Sequence, residues 1–440
     1  MGKKTLSAAL LSTTAMLAVA GCGGGGTAGS DETAAPPLNP KSVSGTIKVL
    51  TNRTDLVQDG TMKKYAAAFN KEYPKVKVQF EGITDYEGEV KIRMNTDKYG
   101  DVLLIPAAVA KGDYPKFFAP LGDTGSMKDK YRFTDKTDVN GKTYGIANFG
   151  TANGIVYNKA LWKKAGITKW PTSPQEFLAD LKTVKDRTGA TYYTNFKDGW
   201  PLVSPFTNSV GSVSCDTKAS DNLANMDAPW GNGTDLNVID GLLYNIVHDK
   251  LSEKDPSTTN WENSKTLLAK GKISSMVLGS WSITQMQDAA KKAGQNPDDI
   301  GFMPFPVQKG GKFCSTLLSD YQQAVNIHSS HKAAARAWID WFTEKSGFSD
   351  SQGVVSALRS APMPATLKEY VDNDVTMVER SEADTAQVNA IDNASEIGLN
   401  KQDYRQKLID IARGAQKGSL KDYFADLNKR WAEARQTVGS

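Results

Sequence analysis

The chain has 440 residues and a formal charge of +4, its 53 Lys and Arg interleaved with 49 Asp and Glu. So small and scattered an excess leaves no electrostatic footprint for a nucleic acid. A hydrophobic content of 39% and a charged content of 23% are those of a soluble globular protein.

Lys3 and Lys4 form a short basic head, residues 6–20 are apolar apart from Ser and Thr, and the stretch ends in Val19-Ala20-Gly21-Cys22. The run is too short to span a bilayer comfortably and stands directly before small residues, so residues 1–21 read as a signal peptide. A cysteine after Ala-Gly resembles the bacterial lipobox, whose thiol is diacylated and becomes the mature N-terminus, with Val19 where Leu is commoner. Two acyl chains anchor stably where one does not. Cys22 is therefore expected to tie a soluble body to the outer face of the cell membrane. Residues 22–44 are mostly Gly, Ala, Thr, Ser and Pro and read as a flexible tether. The remaining ~395 residues suit two lobes better than one core. No second run of about 20 apolar residues follows.

In chain order, 46–50 reads as a strand and 61–73 as a helix with Met62, Tyr65, Ala66 and Phe69 on one face. Residues 76–80 alternate as a strand and 101–105 form a buried one. A strand at 154–157 leads into helices at 161–165, 174–188, 238–250 and 261–269. Strands at 273–278 and 322–327, a helix at 332–345 and helices from 401 onward complete the series. Strand–helix–strand units of this size predict largely parallel α/β sheets. With Cys22 given to lipid, Cys215 and Cys314 remain as an even pair in an oxidising compartment and are expected to form a disulfide. The histidines, His248, His328 and His331, make no metal cluster. The last two read as part of a helix start capped by Ser329 or Ser330.

Several segments, in order, resemble family 1 extracellular solute-binding proteins, the sugar-binding subunits of ABC importers that include the maltose-binding protein. They are TIKVLTNRTD at 46–55, MKKYAAAFNKEYPKVKVQF at 62–80 and YGDVLLI at 99–105, with Gly100 in place of the family's Pro. The most specific are GIVYNKALWKKAGI at 154–167 with WPTSPQEFLADL at 170–181, and LLAKGKISSMVLGSW at 267–281. The resemblance implies a two-lobed periplasmic-binding-protein-like fold with several hinge crossings, each lobe a mostly parallel sheet flanked by helices. Lobe 1 is expected at 45–155 and 320–360, and lobe 2 at 156–319 and 361–440. It further implies capture of a carbohydrate by a monomer without cofactor or catalytic residues, and delivery to ABC permease subunits.

A sugar presents apolar ring faces and a girdle of hydroxyls, so its site needs an aromatic platform and polar pairing groups. Trp281 follows a buried strand and a Gly-Ser turn, where the family puts a stacking aromatic. Trp200 and Trp230 stand in loops rich in Gly, Pro, Asn and Asp. Trp162, Trp170, Trp261, Trp338, Trp341 and Trp431 read as core. The polar candidates are Asn52, Arg53 and Asp55 after the first strand, Asp85 after the second, Asp101 at the start of the third and Asn153 before the crossover. Asp320 and Tyr321 stand where the chain returns to the first lobe, and Arg359 near the last crossing.

Two other readings compete. An exported glycoside hydrolase needs a carboxylate pair across a cleft, but no pair stands out. A binder of another solute, such as iron or a polyamine, is raised by Tyr192-Tyr193, whose β propensity makes an ordinary strand the simpler account.

Overall fold

The computed structural model describes residues 33–37, 39–381 and 385–439, so the expected signal peptide and Cys22 lie outside the described residues. Among the described residues, two mixed sheets carry the fold, one of six strands and one of seven, beside a small three-stranded sheet. In the first, Ser44–Thr51 buries Ile47, Val49 and Leu50 and pairs in parallel with Lys75–Gly82, placing Ile47 beside Val78 and Val49 beside Phe80. Val102–Leu104 joins it in parallel on the other side. Gln322–Asn326 then runs antiparallel to Val102–Leu104, Phe118–Ala119 and Ile146–Ala147.

The second sheet is built on the crossover strand Gly150–Asn158, which is antiparallel to Ile273–Gly279, Ile300–Met303 and Lys312–Ser319. Thr191–Tyr192 and Thr376–Glu379 add parallel edges. The sheets are therefore mixed rather than mostly parallel. Strands that arrive from the other lobe, unlike strand–helix–strand units, have no crossover helix to reverse them.

The chain passes between the sheets at 148–149 and at 320–321, and returns near 353–359, where Val355 bridges Gly150 and Leu358 bridges Tyr131. The first crossing thus precedes the whole strand Gly150–Asn158, earlier than the expected boundary at 155. Polar Thr151 and Asn153 at its cleft end hid that half of the strand from hydrophobic patterning. The tether also ends sooner than composition suggested. Ala34 is 2% exposed, donates its N–H to the Pro120 carbonyl at 2.9 Å and accepts from Arg336 at 2.9 Å. Backbone pairing holds this segment, and composition does not report backbone pairing.

The helices close the core. Ser173 caps Pro174–Thr188 through the Glu176 N–H, with Pro at the first helical position. Lys332–Glu344 packs on the first sheet and seats Trp338 edge-on to Phe69, 5.3 Å between centroids. Trp261–Ala269 and Ser282–Lys292 pack on the second sheet. Asp235–His248, Asp403–Ala412 and Leu420–Val438 form its outer helical layer. A disulfide joins Cys215 to Cys314 on the strand Lys312–Ser319, their Cα atoms 5.5 Å apart.

Candidate functional site between the lobes

Parallel strands present their C-terminal ends to a crevice, and the first sheet delivers two loops there, around 52–59 and 105–111. Opposite stand the cleft end of the crossover strand, the turn after Ile273–Gly279 and the segment around 200–208. The crossings at 148–149 and 320–321 floor the gap. Two adjoining chambers result, of about 1140 Å³ and about 760 Å³. Asn52, Arg53, Asp55, Asn148 and Phe149 line the larger, and Lys111, Asn153, Trp200 and Tyr321 the smaller. Trp281 and Asp320 line both.

Local chemistry fixes Trp281. Ser280 donates its N–H to the Ala152 carbonyl at 2.7 Å, and its hydroxyl accepts from the Ala152 N–H at 3.1 Å, pinning the turn to the crossover strand. A Cβ on Gly279 would come within 2.6 Å of Trp281 Nε1 and 2.8 Å of Thr151 Oγ1, so only glycine lets the indole lie there. Trp281 completes a triangle with Trp200 at 6.0 Å and Trp261 at 5.8 Å, while Trp200 and Trp261 are 5.0 Å apart. These separations lie in the favourable aromatic range. All three rings are partly buried.

The polar groups are held as firmly. Arg53 clasps Asp55 through Nε at 2.9 Å and a terminal nitrogen at 2.7 Å, and donates to Gln352 Oε1 at 2.7 Å. These bonds draw the Asp55 carboxyl below its ordinary value. Asp320 donates its N–H to the Phe149 carbonyl at 2.9 Å. Burial pushes its carboxyl up to about 6, against the Tyr321 N–H and the charges of Lys136 and Arg53. Burial likewise raises Tyr321, whose hydroxyl lies beside Glu87.

Of the residues expected at the site, the structure gathers Asn52, Arg53, Asp55, Asn153, Trp200, Trp281, Asp320 and Tyr321 around the cleft. The Asn153 amide is engaged within the protein, donating to the Pro205 carbonyl at 2.8 Å and to Ser209 at 2.6 Å. Four expectations need correction. Trp230 is 1% exposed and donates Nε1–H to Asp240 at 2.8 Å, a core anchor rather than a cleft aromatic. Asp85 caps the helix Tyr86–Arg93 through the Gly88 N–H. Asp101 stands at the N-terminal end of its strand, away from the crevice. There it accepts from the Lys48 N–H at 2.7 Å and the Ser329 hydroxyl at 2.6 Å. Arg359 chelates Glu379 at 2.9 and 3.0 Å and donates to the Lys128 carbonyl, bracing the last crossing.

Trp261, which read as core, is the first residue of a helix capped by Asn260; it packs edge-on to Trp200 and Trp281 and lines neither chamber. Tyr192 is buried in a strand with its hydroxyl accepting from the Val277 N–H, as no exposed iron ligand would be. Among the described residues, no group of three or more His, Cys, Asp and Glu could hold a metal ion. No helix there is long and apolar enough to cross a membrane.

The family model of bacterial extracellular solute-binding proteins matches residues 54–347. The chain belongs to this family. A multiple sugar-binding protein of Streptococcus mutans is 22% identical to this solute-binding protein over 292 residues, 65% of this chain and 68% of that one. The diacetylchitobiose binding protein of Streptomyces coelicolor is 24% identical over 360 residues, 77% of each. Among solved structures, an ABC-transporter binding protein from Bifidobacterium animalis subsp. lactis in complex with mannobiose is similar with a TM-score of 0.80 and 32% identity. The match covers 91% of this chain and 96% of that one. A manno-oligosaccharide-specific solute-binding protein of the same organism, in complex with mannotriose, gives a TM-score of 0.80 and 28% identity, covering 90% and 96%. The two-lobed architecture of this solute-binding protein is theirs.

Proposed function

We propose that this protein captures a carbohydrate outside the cytoplasm and delivers it to the permease of an ABC importer. The observation that carries the reading is the tryptophan triangle at the edge of two chambers between the lobes. The apolar faces of pyranose rings find a platform in such a wall, and Asn52 and Asp320 stand across from it to pair hydroxyls. Likeness to proteins solved with mannobiose and mannotriose favours a small manno-oligosaccharide as the ligand. In this reading Cys22 carries the lipid anchor that keeps a monomer beside its permease, and binding alone, without catalysis, is the protein's task.

A thermal-shift screen against mannose, maltose, raffinose and chitin oligosaccharides, followed by calorimetry, tests it. A ligand at 100 times its Kd adds about 2.7 kcal/mol and a clear rise in Tm. Trp281→Ala should abolish that rise while leaving the unliganded Tm within a few degrees. If no saccharide shifts the wild-type protein, the carbohydrate reading fails. If oligosaccharides are instead cleaved to new reducing ends, the protein is a hydrolase.

A further inference from the structure

Residues 157–170 fall in the most specific stretch of the sequence, yet none of them lines the cleft. Several instead line a separate cavity of about 690 Å³ at the other end of the crossover strand Gly150–Asn158. On that strand Asn153 borders the cleft and Tyr157 this cavity, about 13 Å further on at the rise of a strand. Phe313, at the start of Lys312–Ser319, and Glu369, on the helix Lys368–Asp372, close the far side.

Local structure sets the chemistry of this cavity. Asn158 caps the helix Lys159–Lys164 through the Leu161 N–H at 2.9 Å, and Lys159 and Lys163 stand one turn apart on one face of it. Lys169 and Trp170 follow in the loop before Pro174–Thr188. The Trp170 indole donates its N–H to the Tyr157 hydroxyl at 3.2 Å and is wedged edge-on against Phe313 at 6.0 Å and Tyr370 at 5.9 Å. It is partly exposed, so a firmly held ring with its polar edge already satisfied borders the cavity. Three lysines line the same cavity against one carboxylate, Glu369, which Lys159 takes at 3.0 Å. Lys163 and Lys169 are exposed, and among the described residues neither has a carboxylate partner. Like charges a turn apart on a helix repel, so an anion that enters between these ammonium groups is favoured.

We infer that this cavity is a second ligand site, separate from the cleft, for a ring-bearing organic anion, its ring against Trp170 and its carboxylate or phosphate held by Lys163 and Lys169. An ammonium is a compact charge with three donors and suits either group. The volume lies in the range of small-ligand sites and is more than a bare inorganic anion fills. Calorimetric titration of the purified protein at low salt, where such charges are least screened, tests this. The probes are 2-naphthyl phosphate and 2-naphthoate, with inorganic phosphate as the charge-only control and 2-naphthol as the ring-only control. At least one naphthyl anion should bind at least tenfold more tightly than either control, and the tighter of the two identifies the anionic group. Lys163→Ala combined with Lys169→Ala should weaken that anion at least tenfold with an unchanged melting profile, since both side chains are exposed. Failure of both naphthyl anions to bind, or a control that binds as tightly, would overturn the inference. A loss smaller than tenfold in the double variant would place the anion elsewhere, for example beside Lys111 in the cleft, and would overturn it too. The carbohydrate reading of the cleft stands in every case.

Discussion

At the scale of single residues, Trp230 and Trp281 show how similar loop settings part company. Trp230 points into a polar knot in which Asp240 also accepts from Tyr404 at 3.3 Å and from Arg405 at 2.8 Å, with Asp240 and Arg405 both 0% exposed. Arg405 further donates to Thr207 and the Leu202 carbonyl, which satisfies most of its fork. Asp240→Ala would strand a buried guanidinium, and removing one partner of such a pair costs about 3–5 kcal/mol. Urea denaturation should show a loss of that size. Asp320 makes the opposite prediction. Its carboxyl is held at about 6 against an ordinary 3.8, so between roughly pH 4 and 6 the folded protein keeps a proton that the unfolded chain has released. Stability contributed by this group therefore falls as pH rises through that window, and above it the folded state bears the whole cost of an ionised buried carboxylate. Asp320→Asn should accordingly raise the unliganded Tm at pH 7.5 and leave it nearly unchanged at pH 4. An equal shift at both values would show that burial of the charge is not the cause.

At the scale of elements, local signals and long-range partners divide the work. Helices Pro174–Thr188 and Trp261–Ala269 begin and end where periodicity and capping residues predict, because a cap and its orphan N–H lie within one turn. Lys312–Ser319 was not legible. Its Cys-Ser-Thr stretch looks polar, yet the strand is buried from Phe313 to Leu318 because sheet neighbours flank it on both sides. The same strand carries Cys314, tied to Cys215 across a sequence separation of 99. In the chain-entropy model a loop near this length is worth up to about 4.7 kcal/mol. Intact-mass measurement after alkylation of the unfolded, unreduced protein should find neither of these thiols modified, and both modified once reductant is added. Modification before reduction would show that they do not pair in solution.

For the whole molecule, the three crossings make a floor on which the lobes can turn. Bridges at Gly150–Val355 and Tyr131–Leu358 bind the crossing segments to one another, and Glu379 on the second sheet accepts from Arg132 and the Phe133 N–H as well as from Arg359. A ligand that touches Trp281 from one lobe and Asn52 from the other gains most when the lobes meet, so it favours the closed state. Small-angle scattering should therefore give a smaller radius of gyration with the saccharide found by calorimetry than without it. Unchanged scattering at saturation would show that the ligand enters without closure.

The sequence by itself was enough for the class of fold, most strands and helices, and the loops after the first strand and before Trp281. All of these follow from periodicity, caps and strand ends, which act over a few residues. Only the tertiary structure decided which of the polar and aromatic candidates face the cleft. Asp101 and Asp85 are loop carboxylates like Asp320, but one sits at the wrong end of its strand and the other is used by its own helix. Arg359 found Glu379, Trp230 found Asp240, and Trp261 joined Trp200 across 61 residues of chain. A side chain's role is set by its nearest partners in space, and when those partners come from distant segments no local pattern can name them.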